Sequence, residues 1–196
     1  MAESVNAVVA SAGDFYRFRQ LGTIVYEGKV RRVDSELVDT CFVDDRGDLI
    51  IAKAGQMEDE AMARKFVDEH KIRFSLNFGP TLIAEGRRCE PDRYLLGEIH
   101  EGYARAAVCQ LGPCHYLLAA ANREGPWQNV PDIREFASVL EMTQCETAYS
   151  LDGGQSAVIV MEGKPMNRVV FGQQRRISDI LYFATALPEG GEVWKK

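Results

Sequence analysis

The sequence predicts an α+β fold with mixed, mostly antiparallel β-sheets and two main packing helices. Most of the chain consists of short β-type runs, and several are joined by the tight glycine turns that are typical of hairpins. Only two segments have the apolar spacing of an amphipathic helix. Strands and helices do not alternate regularly, so the pattern does not fit a doubly wound parallel fold.

The first strands are predicted from apolar runs and the turns between them. A strand at 5–11 runs into the glycine turn A-G-D-F-Y. Two hairpins follow, one around Glu27-Gly28 and one around D-D-R-G. Their strands are expected at 22–26, 29–33, 36–43 and 48–53.

The first helix is predicted over 57–70, because acids crowd its first turn, where they favour a helix N-terminus. Its apolar stripe is expected to comprise Met57, Ala61, Met62 and Phe66.

The second helix is predicted over 132–143. Asp132 and Glu135 have the spacing of a capping box, which satisfies backbone amides at a helix start. The core-facing residues are expected to be Ile133, Phe136, Val139 and Leu140.

The remaining strands are expected between and after the helices. Gly79-Pro80 forms a rigid turn between two of them. These strands are predicted at 72–78, 81–84, 104–110, 115–121, 145–150, 156–161, 166–170 and 179–185.

Length and composition favour one globular domain spanning 1–196. The 196 residues are 46% hydrophobic and 27% charged, which is ordinary for a folded domain. The net charge of −6 argues against general nucleic-acid binding, which needs a basic face. No apolar run is long enough to span a bilayer, and the N-terminus lacks the basic region of a signal peptide.

The five cysteines predict neither a disulfide framework nor a zinc site. Their number is odd and no C-x-x-C spacing occurs, so buried or idle thiols are expected. No cofactor and no metal site are predicted. A pair of acids could still hold Ca²⁺ or Mg²⁺ through oxygen ligands.

Asp152 is the first candidate for chemistry, within S-L-D-G-G-Q-S-A. It follows an apolar strand, and the glycines after it let the backbone bend and let a ligand approach the main chain. Freed amides at Gly153 and Gly154 could form an anion-binding nest, beside the polar groups of Gln155 and Ser156. An ordinary D-G turn explains the same residues.

Three further groups also lie at the ends of apolar strands. Asp14 follows Gly13 and precedes Arg17 and Arg19, a pattern that a capped turn would also explain. Arg105 opens an apolar run, where its planar fork suits a phosphate or carboxylate, although it could instead face solvent. The third group precedes a strand and consists of Arg175, Arg176, Ser178 and Asp179, which a surface loop with an internal ion pair would also explain.

Asn77 stands apart from these groups, in N-F-G-P-T-L-I. This stretch is predicted to be structural, although Asn77 and the Phe78-Gly79 backbone could line a pocket.

Six motifs in order give the chain a family resemblance. They are A-G-D-F-Y-x-F-R, G-x-x-x-x-x-G-K-V, N-F-G-P-T-L-I, Y-A-R-A-A-V, A-Y-S-L-D-G-G-Q-S-A and R-R-I-S-D-I-L-Y-F. This set resembles the phosphodiester glycosidases, the family of N-acetylglucosamine-1-phosphodiester α-N-acetylglucosaminidase and of bacterial envelope proteins. The resemblance covers about residues 5–185 and implies an extracytoplasmic location, with N-terminal sequence in longer relatives that this chain lacks.

The resemblance implies hydrolysis of a sugar-1-phosphodiester at the anomeric C–O bond, with a sugar-phosphate small molecule as the substrate. It implies Asp152, Asp14 and Arg105 as catalytic residues. It also implies substrate-binding positions at Gly13, Asn77, Gly153, Gly154, Gln155, Ser156, Arg176, Ser178 and Asp179.

Three residues differ from the usual family motifs, namely Ala12, Ala106 and Gln155. They favour one alternative, a catalytically quiet carbohydrate-binding or envelope polysaccharide module with the same fold.

Overall fold

The computed structural model describes residues 1–14, 19–90, 100–122 and 130–185. It confirms the α+β class, with three mostly antiparallel sheets and two α-helices. The helices are α1 (Glu60–His70) and α2 (Ile133–Glu141). The strands are β1 (Ala7–Ala12), β2 (Ile24–Tyr26), β3 (Lys29–Arg32), β4 (Thr40–Val43), β5 (Leu49–Ala52), β6 (Phe74–Leu76), β7 (Thr81–Ala84), β8 (Arg87–Arg88), β9 (Arg105–Gly112), β10 (His115–Ala121), β11 (Thr147–Leu151), β12 (Ile159–Met161), β13 (Lys164–Pro165) and β14 (Ile180–Ala184).

The three sheets have four, five and five strands. In the first sheet the order is β13-β12-β1-β14, in the second β10-β9-β11-β7-β8, and in the third β3-β2-β6-β4-β5. The Gly79–Pro80 turn therefore passes the chain from the third sheet to the second, since β6 and β7 lie in different sheets. All strand pairs within the described ranges are antiparallel.

Helix α1 packs against the third sheet, and its predicted apolar stripe is half right: Met57 and Phe66 pack in the core, whereas Ala61 and Met62 are exposed. Asp59 caps the helix by accepting a hydrogen bond from the Met62 amide, so the helix begins three residues later than expected. The buried side chains are Ala63 and Val67, whereas Met62 is exposed. The true start of the helix therefore could not be read from the run of acids.

Helix α2 packs against the second sheet and has the predicted capping box. The Asp132 side chain accepts from the Glu135 amide, and the Glu135 side chain accepts from the Asp132 amide. Val139 was expected in the core but is 58% exposed, and Ala137 takes the buried position instead. The buried face of the helix therefore includes Ala137 in place of Val139, and the small Ala137 side chain allows close packing on the sheet.

The predicted strand at 166–170 is wrong. Pairing with β12 ends at the short strand β13, and Val170–Gly172 form a 3-10 turn. The Asn167 side chain accepts from the Ile159 amide at 2.7 Å and donates to the Ala157 carbonyl at 2.8 Å. A side chain thus takes the backbone partners that a continuing strand would have used.

The central core lies where the three sheets meet. It contains Cys41 and Leu76 from the third sheet, Ala106 and Tyr149 from the second, and Leu181 from the first. All five cysteines are free thiols. None of the helices in the described ranges is long and apolar enough to cross a bilayer.

Strand ends from the first and second sheets converge beside this core. Ala12, the last residue of β1, pairs with Ile180, the first of β14. Leu151, the last residue of β11, pairs with Ala106 near the start of β9. The residues directly beyond these pairs are those that the sequence marks as candidates for chemistry.

Candidate active site

Three aspartates meet at the converging strand ends. Asp14 follows β1, Asp152 follows β11, and Asp179 precedes β14. Asp14 and Asp152 are only 3% and 4% exposed, and Asp179 is half-buried. Acids that are this buried are costly unless hydrogen bonds or charges compensate, so their surroundings decide what they can do.

Backbone hydrogen bonds hold the three acids together. The Asp14 amide donates to Asp179 Oδ1 at 2.7 Å, and the Asp152 amide donates to the Gly13 carbonyl at 3.0 Å. A Cβ added to Gly13 would lie 2.9–3.1 Å from the Asp179 carboxylate. Glycine at position 13 therefore permits the close approach of Asp179 to the β1 turn.

Arg175 pairs with Asp152; the sequence groups it with Arg176 as a candidate, but only Arg176 was predicted to bind substrate. Its Nη2 lies 3.0 Å from Asp152 Oδ2. The neighbouring Arg176, which the family resemblance selects, is exposed. The two arginines are adjacent, and no sequence signal indicates which side chain reaches the acid.

Burial and mutual repulsion raise the pKa of two of the acids. The pKa of Asp152 is raised by burial, while the nearby Ser156 hydroxyl and the Arg175 charge oppose this effect. The pKa of Asp179 is raised from 3.8 to about 6, mainly by burial, and the charges of Asp14 and Asp152 add to the rise. The hydrogen bond from the Asp14 backbone amide partly offsets this rise in pKa. Asp179 therefore gains a proton well above the usual pH for an aspartate.

A buried polar network holds Asp14 from the side of the third sheet. The Asn77 backbone amide donates to Asp14 Oδ2. The Asn77 side chain in turn accepts from Thr40 Oγ1 at 2.9 Å and donates to Ser75 Oγ at 3.2 Å. Gly22 completes this packing, because a Cβ there would lie 2.3 Å from Asn77 Oδ1. Asn77, which is 3% exposed, thus holds Asp14 in position from the side of the third sheet.

Arg105 is buried at the start of β9. It is 6% exposed, so the alternative of a strand-end arginine facing solvent is wrong. Its Nη2 donates to the Glu101 carbonyl at 2.6 Å, and its guanidinium carbon lies 5.8 Å from the centre of the Tyr103 ring. In the β9–β11 ladder, Arg105 and Asp152 directly follow the last pair, Leu151 with Ala106.

The two glycines after Asp152 pack the loop against β9. A Cβ on Gly153 would lie 2.5 Å from the Ala104 carbonyl oxygen, and the Gly154 amide donates to that oxygen at 2.8 Å. The Gly154 amide is thus already engaged with protein, unlike the free amide of an anion-binding nest. Ser156 ends the following 3-10 turn and is buried. Its Oγ makes no hydrogen bond with the described residues, although the hydroxyl lies close enough to Asp152 to lower the pKa of that acid.

The remaining candidates lie at the edge of the site. Gln155 is half-buried, and Ser178 is exposed on the loop before β14. Arg19 lies 4.6 Å from the centre of the Phe78 ring, whereas Arg17 lies outside the described residues. Within the described ranges, no group of three or more His, Cys, Asp or Glu side chains is arranged to hold a metal ion. The Ca²⁺ or Mg²⁺ alternative stays a prediction.

Solved structures of known proteins share this fold. The catalytic domain of zebrafish N-acetylglucosamine-1-phosphodiester α-N-acetylglucosaminidase, auto-inhibited by its pro-peptide, matches with a TM-score of 0.69 at 17% identity over 94% of this chain and 66% of that one. A hypothetical protein from Synechocystis matches with a TM-score of 0.59 at 15% identity, over 93% and 53% of the two chains. A Burkholderia pseudomallei K96243 protein described as exported matches with a TM-score of 0.61 at 12% identity, over 94% and 67%.

This chain therefore spans between about half and two thirds of the length of these structures. No curated protein matches the sequence significantly. The sequence does match a family model, phosphodiester glycosidase, over residues 5–184, which is nearly the whole chain. With its fold, its acid cluster and this match, the chain belongs to the phosphodiester glycosidase family.

Proposed function

We propose that this protein hydrolyses the glycosidic bond of a sugar-1-phosphodiester, releasing free sugar and a phosphomonoester. The observation that carries the proposal is the buried Asp152, paired with Arg175 at 3.0 Å and flanked by Asp14 and Asp179. Membership of a glycosidase family supports the reaction type. An extracytoplasmic location fits the structural neighbour that is described as exported.

In the proposed reaction, water replaces the phosphate at the anomeric carbon. The anomeric C–O bond breaks, its electron pair stays on the phosphate oxygen, and the water oxygen bonds to the anomeric carbon. The proton that the water loses passes through a carboxylate to the phosphomonoester or to solvent. The diester phosphate is already a good leaving group, so strong protonation of its oxygen is less necessary than in ordinary glycosidases. The main requirements are a carboxylate at the anomeric carbon and cations for the phosphate.

We assign the carboxylate role to Asp152, as nucleophile or general base. The Arg175 charge opposes the effect of burial and favours the ionised form that either role needs. Asp14 serves as its partner or binds a sugar hydroxyl. Arg105, buried one step beyond the end of the β9–β11 ladder, is assigned to the phosphate, with Arg176 at the exposed edge.

Asp179 regulates the charge of the cluster in this scheme. Three ionised carboxylates this close together would repel one another, and the raised pKa of about 6 lets Asp179 carry a proton in mildly acidic solution. Its proton would then be available to a sugar or phosphate oxygen. This assignment predicts that Asp179→Asn keeps part of the activity, while Asp152→Asn does not.

Single-turnover hydrolysis tests the proposal. The substrates are sugar-1-phosphodiesters of several sugars, with and without EDTA, and the readout is free sugar. The variants are Asp152→Asn and Arg105→Gln, with Asp68→Asn as the control because Asp68 is exposed on α1. Wild-type inactivity over the panel would refute the proposal. If isothermal titration then showed sugar-phosphate binding without turnover, the quiet carbohydrate-binding alternative would replace it.

A further inference from the structure

A cavity of ≈ 510 Å³ adjoins the acid cluster on the outer face of the first sheet. Its size lies within the range of about 300–1,000 Å³ that is typical of small-molecule sites. The loop at 173–177 bounds one end, and the N-terminal residues with the β12–β13 hairpin bound the other.

The floor of the cavity is apolar. Ala10 pairs with Val160, and Ala12 pairs with Ile180, so these four side chains share one face of the sheet. The opposite face, at Leu181, packs into the central core. The two alanines are themselves covered, at 2% and 4% exposed, so the apolar surface that a ligand can contact comes from the partly buried Val160 and Ile180 beside them.

The end near the loop is polar and cationic. Arg175, Arg176 and Ser156 line it. Two of these side chains, Arg175 and Ser156, also contact Asp152. The three aspartates themselves do not line the cavity, so the cavity ends one side chain away from Asp152.

The far end carries the opposite charge. Glu3 lines it, and a Cβ added to Gly163 in the hairpin turn would lie 3.2 Å from Glu3 Oε1. An anionic group is therefore attracted to the arginine end and repelled from the Glu3 end. A ligand with one anionic end and one apolar part is therefore expected to bind in this cavity in one orientation.

We propose that this cavity binds the alcohol portion of the phosphodiester, and that this portion is aliphatic. The phosphate lies at the arginine end, beside Arg176, which the proposed function also assigns to it, and the hydrocarbon lies over Val160 and Ile180. The inference rests on the proposed function for the identity of the phosphate, but binding of the hydrocarbon can be measured without turnover.

Binding of alkyl phosphates tests the cavity directly. Isothermal titration of the intact protein with butyl, hexyl and octyl phosphate should give a Kd that falls by about fourfold for each methylene buried. A Kd independent of chain length would overturn the proposal. Phosphatidylcholine vesicles carrying dihexadecyl phosphate, compared with the monomeric esters, show whether the ester is taken from a membrane or from solution.

Matched variants locate the binding. Val160→Asn should flatten the dependence on chain length, whereas Val8→Asn should not, because Val8 is exposed on β1 and does not line the cavity. Arg176→Gln should weaken binding of every ester by a similar factor and leave the chain-length dependence unchanged. Equal effects of Val160→Asn and Val8→Asn would contradict the assigned position.

Hydrolysis separates this inference from the proposed function. Methyl and hexyl diesters of the same sugar-1-phosphate should differ in KM, with the lower value for the hexyl ester, and Val160→Asn should remove the difference. Equal KM values with normal turnover would overturn the inference alone. Length-dependent binding without hydrolysis of either ester would support the cavity and refute the proposed function.

Discussion

The Asp14 amide donates a 2.7 Å hydrogen bond to Asp179 Oδ1, joining residues 165 positions apart in the chain. This bond links the end of β1 to the start of β14. Asp152 joins the same unit because its backbone amide donates a hydrogen bond to the Gly13 carbonyl at 3.0 Å. The acids are therefore fixed by main-chain contacts, and their positions depend on the sheets more than on side-chain packing.

The raised pKa of Asp179 predicts how stability changes with pH. The folded protein holds this proton up to about pH 6, whereas the unfolded chain loses it near pH 3.8. Because the folded state binds the proton more tightly, the contribution of Asp179 to the free energy of unfolding falls as pH rises from about 4 to about 6. Asp179→Asn removes this contribution.

Urea unfolding of wild type and Asp179→Asn across this pH range measures the effect. The variant should gain stability relative to wild type as pH rises from about 4 to about 6, because only the wild type loses the contribution. A difference that is constant across the range would contradict the raised pKa.

The contact between Gly13 and Asp179 predicts a selective effect of alanine. In Gly13→Ala, the new Cβ would lie 2.9 Å from Asp179 Oδ1, so the acid or the β1 turn must shift. We expect a loss of about 1–3 kcal/mol in the free energy of unfolding, together with slower hydrolysis. Urea denaturation and single-turnover assays measure the two effects.

Gly112→Ala is the matched control, since a Cβ there meets no atom within 4 Å. Its free energy of unfolding should stay within about 0.5 kcal/mol of wild type. Equal losses in the two variants would show that the Asp179 contact is not the cause.

The network behind Asp14 predicts a long-range effect of Thr40. Thr40→Val removes the donor to Asn77 Oδ1 and the acceptor of the Thr23 amide. We expect destabilisation by about 1–3 kcal/mol, since buried polar partners are left unsatisfied. We also expect a lower kcat, because displacement of Asp14 changes the surroundings of Asp152.

Thr40→Ser keeps the hydroxyl and should restore most of the kcat. A stability loss in Thr40→Val without any change in kcat would show that the network is purely structural.

The ion pair with Arg175 predicts a shift in the pH dependence of hydrolysis. Its charge lowers the pKa of Asp152 against the effect of burial. In Arg175→Gln this pKa rises further, so Asp152 ionises only at higher pH. The acid limb of the kcat/KM profile should therefore move to higher pH.

Arg176→Gln is the control for this experiment, because Arg176 is exposed and Arg175 makes the contact with Asp152. Its acid limb should coincide with that of wild type. The same displacement in both variants would contradict a specific pair between Arg175 and Asp152.

The fold class and most strands could be predicted because they depend on local patterns. Apolar runs and glycine turns predicted the hairpins of the third sheet, and the Asp132–Glu135 spacing predicted the cap of α2. Local patterns could not show that 166–170 is not a strand. The Asn167 side chain hydrogen-bonds to the backbone of Ile159, eight residues earlier in the chain, and so prevents regular pairing there.

The site was predictable only to the level of strand ends. Sequence position indicates that Asp14, Asp152 and Asp179 each adjoin a strand, but register and sheet order decide that they meet. The choice between Arg175 and Arg176 depends on the path of a loop without regular structure. The support of Asp14 by Thr40 crosses from the third sheet to the first and has no signal in the local sequence.

Single-turnover hydrolysis of a sugar-1-phosphodiester by Asp152→Asn tests the central claim most directly. If Asp152 acts at the anomeric carbon, the rate should fall by about 10²–10⁴ relative to wild type, while Asp68→Asn stays at the wild-type rate. Circular dichroism and urea denaturation should show that Asp152→Asn is folded. A folded Asp152→Asn protein that hydrolyses the substrate at the wild-type rate would contradict the assignment.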